Sequence, residues 1–149
     1  MKPSLGRAII GGFVGTPAMT VLMYTVAPLL DVRVDIAEML GSMLGGWTLG
    51  IIVHIVNGSI IFPFIYIYLF DHLPPAPPVA RGLMFGGGLW LMSQVVVMPA
   101  MGAGFFSAHL GGVASCFASF LGHMAYGTLL GGLAGAVPLD RAKLKELPH

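Results

Sequence analysis

Residues 46–70 read GWTLGIIVHIVNGSIIFPFIYIYLF, a run with no Asp, Glu, Lys or Arg. At a rise of about 1.5 Å per residue such a run is long enough, as a helix, to cross a hydrocarbon core of about 30 Å. A strand reading is poor, because membrane barrels need short segments of alternating polarity. The same absence of charge extends from Met39 to Phe70, and recurs from Ala8 to Leu30 and from Gly82 to Leu139. The first two runs hold one crossing each, and the third is long enough for two.

The whole chain fits this reading. Of its 149 residues 56% are hydrophobic and 9% charged, whereas roughly a quarter are charged in an ordinary soluble domain. Gly and Pro punctuation places four helices at about 8–30, 46–70, 82–101 and 112–137, with Leu73-Pro-Pro-Ala-Pro-Pro78 between the second and third. Short connections make consecutive helices antiparallel, so the expected fold is an all-α, up-down-up-down four-helix membrane bundle in one domain over 1–149. Val34 to Leu44 carries Ile36, Met39, Leu40, Met43 and Leu44 on one helical face, which predicts a short interfacial helix over 34–44.

Lys2, Arg7, Arg81, Arg141, Lys143 and Lys145 all fall on one side of this topology, and Asp31, Asp35 and Glu38 on the other with Arg33. The positive-inside rule then makes both termini cytoplasmic in a bacterial inner membrane. The apolar run of Ala8 to Leu30 exceeds the 7–15 residues of a signal peptide and has no Ala-x-Ala site after it, so it is read as a retained helix. The formal charge of +1 gives no reason to expect nucleic acid as a partner, and the lone Cys116 carries no disulfide signal.

Glycines recur at four-residue spacing, as at Gly11 and Gly15, Gly46 and Gly50, Gly82 and Gly86, and Gly127, Gly131 and Gly135. In lipid such spacing lets helix backbones approach closely. Packing is the preferred reading of most of them.

Two histidines stand inside the apolar runs, in matching frames: His54-Ile-Val-Asn-Gly58-Ser59 and His123-Met-Ala-Tyr-Gly127-Thr128. An ionisable group within a membrane segment is a functional hypothesis by default. Counting residues from the outer helix ends puts both at one level in the outer half, on diagonal helices. Imidazole on two helices is the usual support of a membrane haem b, and small residues one turn away make room for a flat macrocycle. Gly50 and Gly58 flank His54, and Gly127 follows His123. The expected metal ligands are therefore His54 and His123, with Gly50, Gly58 and Gly127 lining the cofactor. Other readings stay open: interhelical hydrogen bonding to Asn57, Ser93, Gln94 or Tyr126, or a separate pigment or metal on each histidine.

Other patterns carry less. Ten methionines include pairs at helical spacing, Met19 and Met23, Met39 and Met43, Met98 and Met101, but no exposed loop joins them to a histidine or cysteine. They are read as adaptable filler in preference to copper ligands. Asp35 and Glu38 could dock a basic periplasmic electron-transfer protein, although a solvated helix face explains them as well. Gly86-Gly87-Gly88 lacks the lysine of a phosphate loop, and membrane carboxylates for a proton-coupled carrier are missing.

At Gly11-Gly12-Phe13-Val14-Gly15-Thr16-Pro17-Ala18-Met19, Asp35 to Gly41, Gly82-Leu83-Met84-Phe85-Gly86 and Val97-Met98-Pro99-Ala100-Met101-Gly102-Ala103-Gly104, the chain resembles an uncharacterised family of small bacterial four-helix membrane proteins. The resemblance runs from about Gly6 to Gly135. It implies the topology and carries no activity. The function expected from the residues is a cytochrome b-like subunit passing electrons within a larger redox complex. The alternative is a cofactor-free accessory subunit packed against other membrane-protein subunits.

Overall fold

A computed structural model describes residues 3–32 and 34–135, and it is entirely helical with four helices long and apolar enough to cross a membrane. These are α1 (Leu5–Leu30), α3 (Trp47–Leu69), α4 (Pro78–Ala100) and α5 (Gly112–Ala134), with the short α2 (Ile36–Leu44) between the first two. We call the end holding the N-terminus proximal and the other distal. The expected end of the last helix at 137, and Lys2, Arg33, Arg141, Lys143 and Lys145, lie outside the described residues.

Local chemistry sets the ends. Ser4 caps α1 by accepting the Arg7 amide at 3.3 Å. The third crossing starts at Pro78, earlier than the expected 82, because proline in the first turn lacks only an N–H that has no helical partner there. Asp35 caps α2 by accepting the amides of Ala37 and Glu38 at 2.9 and 3.0 Å. The same carboxylate accepts Tyr24 Oη at 2.7 Å and Trp47 Nε1 at 3.1 Å, which ties α1, α2 and α3 together at the distal face. Gly45 and Gly46, at φ +99° and +139°, make the sharp turn from α2 into α3.

Glycine brings the backbones into contact. A Cβ on Gly82 would strike the carbonyl of Gly127 and one on Gly86 that of His123, so α4 and α5 touch along their proximal halves. Gly11 faces the Leu130 backbone, seating α1 on α5, and Gly12 faces Pro63 and the Gly58 carbonyl, seating α1 on α3. Around the bundle the order is therefore α3, α1, α5, α4. Helices α3 and α5 are diagonal. The α3–α4 side is the least tightly packed and includes the edge-to-face contact of Tyr66 with Phe85, centroids 5.3 Å apart.

Two crossings contain a wide π-helical turn, Asn57–Ile61 in α3 and Ser93–Val97 in α4. Each ends two residues before a proline, Pro63 or Pro99. A helical proline has no N–H to give and its ring presses on the carbonyl four residues back, so the preceding amide reaches five residues back instead. Phe62 N–H accordingly donates to Asn57 O, and Met98 N–H to Ser93 O.

Candidate functional site

The distal half of the bundle encloses a cavity of about 180 Å³, lined by side chains from all four crossings and from α2. That is near the size of an engineered apolar cavity of about 150 Å³ known to admit benzene. Its distal roof includes Ile36 and Leu40 of α2. Its floor includes Phe62, Leu89 and Tyr126.

His54 and His123 both line this cavity, and so does Gly58. Gly50 and Gly127 do not. Gly50 packs under α2, where an added Cβ would strike the Ala37 carbonyl, and Gly127 packs on Gly82. Both serve close helix contact, as their spacing by four also allows. Ser59 is buried, but it too lies outside the cavity lining.

Hydrogen bonding fixes the two imidazoles in opposite tautomers. His123 Nδ1 lies 2.8 Å from the carbonyl of Ser119, which can only accept, so the proton is on Nδ1 and Nε2 keeps its lone pair. His54 Nε2 lies 2.9 Å from Thr20 Oγ1, and the Thr20 hydroxyl proton is already given to Thr16 O at 2.7 Å. Thr20 therefore accepts, and the His54 proton is on Nε2. The His54 bond joins two helices, whereas the His123 bond stays within α5 and orients the ring.

A polar chain runs beside His123. Ser107 Oγ donates to Gln94 Oε1 at 2.8 Å, and Gln94 Nε2 donates to Ser119 Oγ at 3.2 Å. Gln94 is wholly buried, a placement tolerable only with such partners. Ser107 reaches it from a loop in which Phe106 and Ser107 hold φ of +51° and +57°, a conformation L side chains rarely adopt. Ser115 Oγ, also on the cavity wall, is buried without a hydrogen-bond partner.

Tyr126 crosses the diagonal. Its hydroxyl donates to Gly58 O at 2.6 Å. That carbonyl lacks a helical donor because Phe62 N–H has gone to Asn57 and Pro63 has none. The phenol thus satisfies the group that the π turn exposes.

Sequence reading missed Thr20 and Ser119 as the groups that hold the histidines, and Gln94, offered there as a histidine partner, bonds Ser119 Oγ beside His123. Some signal was present: Thr16 and Thr20 are spaced by one turn, and Gln94 and Asn57 are the only carboxamides in the chain. Met19, Met23, Met98 and Met101 also line the cavity, although the chain separates them from both histidines. Among the described residues no three of His, Cys, Asp or Glu cluster as a metal site.

A family model described as a family of unknown function, DUF6789, matches residues 3–143. The chain belongs to DUF6789. No curated protein and no solved structure matches it significantly. Membership agrees with the resemblance seen in the sequence and assigns no chemistry to this DUF6789 chain.

Proposed function

We propose that this DUF6789 protein is a small cytochrome b-like subunit of the bacterial inner membrane, holding one haem b between His54 and His123. It would pass single electrons within a larger redox complex. The observation that carries the reading is that imidazoles from diagonal helices line one cavity in the distal half. His123 offers its Nε2 lone pair as it stands, and the Ser119 carbonyl is the acceptor that an axial histidine needs. His54 would release Thr20 and move its proton to Nδ1. A porphyrin is larger than the cavity, so its edge would part α3 from α4 on the least packed side. Basic residues at the proximal end make that face cytoplasmic, with both termini there, and put the site near the periplasm. Asp35 is committed to Tyr24, Trp47 and α2, which leaves Asp31 and Glu38 as exposed carboxylates for a basic electron-transfer partner.

Spectra of protein purified from haem-replete cells, oxidised and dithionite-reduced, test this. A Soret band with low-spin signals lost in both His54→Ala and His123→Ala is expected. Its absence from folded protein sinks the haem.

The His54–Thr20 bond favours a second reading, a cofactor-free accessory subunit in which His54 joins α3 to α1 and outer helix faces pack on neighbouring subunits. Co-purification with a larger membrane complex, without haem, is its expected outcome. A stable, partnerless chain counts against it.

A further inference from the structure

Four of the ten methionines line the one cavity that holds both histidines: Met19 and Met23 from α1, Met98 from α4 and Met101 just past its end. These are the two crossings that carry no histidine. Going around the bundle, thioether and imidazole walls alternate. Met23 and Met98 are buried. A Cβ on Gly122, the residue before His123, would stand 3.2 Å from Met19 Cγ and 3.3 Å from Met23 Sδ, so both α1 side chains lie against the backbone that carries His123.

The donors are neutral and soft. His123 has its proton fixed on Nδ1 by the Ser119 carbonyl, which leaves the Nε2 lone pair for a ligand. Among the described residues no carboxylate or thiol lines the cavity. A divalent ion would therefore keep its full charge in a low-dielectric interior, at a cost of several kcal/mol. A soft monovalent ion leaves only one charge, and thioether sulfur selects it. Methionine as simple filler accounts for apolar volume but not for an imidazole lone pair left unused on the wall of the same cavity.

We propose that the cavity binds one Cu(I) ion through His123 Nε2 and thioethers drawn from these four methionines. This goes beyond the haem reading, and the two occupants exclude each other because both take His123.

The full-length protein in detergent is titrated anaerobically with Cu(I) buffered by a chromogenic chelator, and separately with haem. One Cu(I) retained per chain, with sulfur and nitrogen scatterers in its X-ray absorption spectrum, is expected. Replacing Met23 and Met98 together by Leu, a nearly volume-conserving change, should weaken Cu(I) at least about tenfold, the smallest loss usual even for outer-sphere partners of a metal. Melting of the metal-free protein should be unchanged. Failure of the folded wild type to hold Cu(I) against the chelator overturns the proposal, as does a first shell without sulfur, which needs no variant. Haem uptake without Cu(I) binding removes this site and leaves the haem reading. Cu(I) binding without haem uptake does the reverse.

Discussion

Replacing Tyr126 by Phe removes one oxygen and changes little else in volume. The hydroxyl lost is the one 2.6 Å from Gly58 O, on a carbonyl that the π turn and Pro63 have left without a helical donor. Gly58 is buried, with Thr16 and Gly12 packed on it, so no other protein donor stands ready to replace the phenol. An unsatisfied buried acceptor costs about 1–3 kcal/mol. Interhelical hydrogen bonds measured in membranes average about 0.6 and reach about 1.7 kcal/mol, because an unfolded chain in lipid finds partners too. The absence of a second donor places Tyr126→Phe toward the upper part of that range, about 1–2 kcal/mol. Reversible unfolding in mixed detergent micelles measures it. The decisive arm is Pro63→Ala, which restores an N–H at position 63 and lets α3 return to α-helical bonding, with Phe62 N–H on Gly58 O. In that background Tyr126→Phe should cost close to nothing. Equal costs in both backgrounds would refute the link between the proline, the π turn and the phenol.

Three further outcomes follow from named contacts. Thr20→Val removes the acceptor of His54 Nε2–H: if His54 is an axial ligand the variant should take up haem more tightly than wild type, and if His54 only joins α3 to α1 it should lose about 0.6–1.7 kcal/mol with no ligand effect. For Asp35, burial alone would raise the pKa, but the Glu38 amide, Tyr24 hydroxyl, Trp47 indole and Ala37 amide outweigh it and hold the carboxyl below its ordinary value. A lowered folded value means that the stabilisation is complete above the unfolded pKa of about 3.9 and is lost as pH falls through the folded one. Hydrogen exchange of α2 amides and Trp47 emission should thus hold steady from neutral pH to about 4 and change only below it; a transition centred at pH 5 or higher would contradict the assignment. Gly82→Ala drives a Cβ into the Gly127 carbonyl and should cost about 1–3 kcal/mol in the same micellar assay, whereas Gly88→Ala, with nothing within 4 Å, should be neutral or slightly stabilising.

The crossings were legible because charge is excluded from lipid: the uncharged runs Ala8 to Leu30, Met39 to Phe70 and Gly82 to Leu139 leave no other place for the helices, and glycines after Met101 divide the last run in two. Topology and rise per residue likewise led the sequence reading to put His54 and His123 at one level on diagonal helices, while the cavity that both line is seen only in the structure. What hydrogen-bonds to each ring was not legible. Thr20 lies 34 residues from His54 and meets it only because Gly12 and Gly58 let α1 and α3 close up, and Ser119 accepts the His123 Nδ1–H through a carbonyl that every residue possesses. For Gly50 and Gly127 the sequence offered two roles, helix packing and room for a cofactor. A glycine near a histidine can clear space for a ligand or for a backbone, and only the placement of α2 and of Gly82 selects the latter. Prolines inside apolar runs, Pro63 and Pro99, did signal irregular helix, but a kink and a π turn share that signal.

The cavity exists because the glycine seam stops. Along α4 and α5 the paired glycines Gly82, Gly86, Gly127 and Gly131 hold the proximal halves at backbone contact. One turn beyond Gly86 the α4 face continues with Leu89, Ser93 and Met98, and the α5 face with His123, Ser119 and Ser115, side chains that cannot interpenetrate as two glycines do. The π turns enlarge the mismatch by shifting the faces of α3 and α4 around their axes on the side where those helices pack least. A bundle seeking only close packing in lipid would carry the small-residue seam to its distal end, as the pairing of Gly41 with Gly50 does for α2 and α3. Here the seam gives way to imidazole, carboxamide, hydroxyl and thioether over the distal half, with Ser115 Oγ left unpaired among them. Polar groups in hydrocarbon are expensive unless satisfied, and the hydrogen bonds of Thr20, Gln94, Ser119 and Tyr126 meet that cost within the bundle while Ser115 Oγ on the cavity wall is left without a partner.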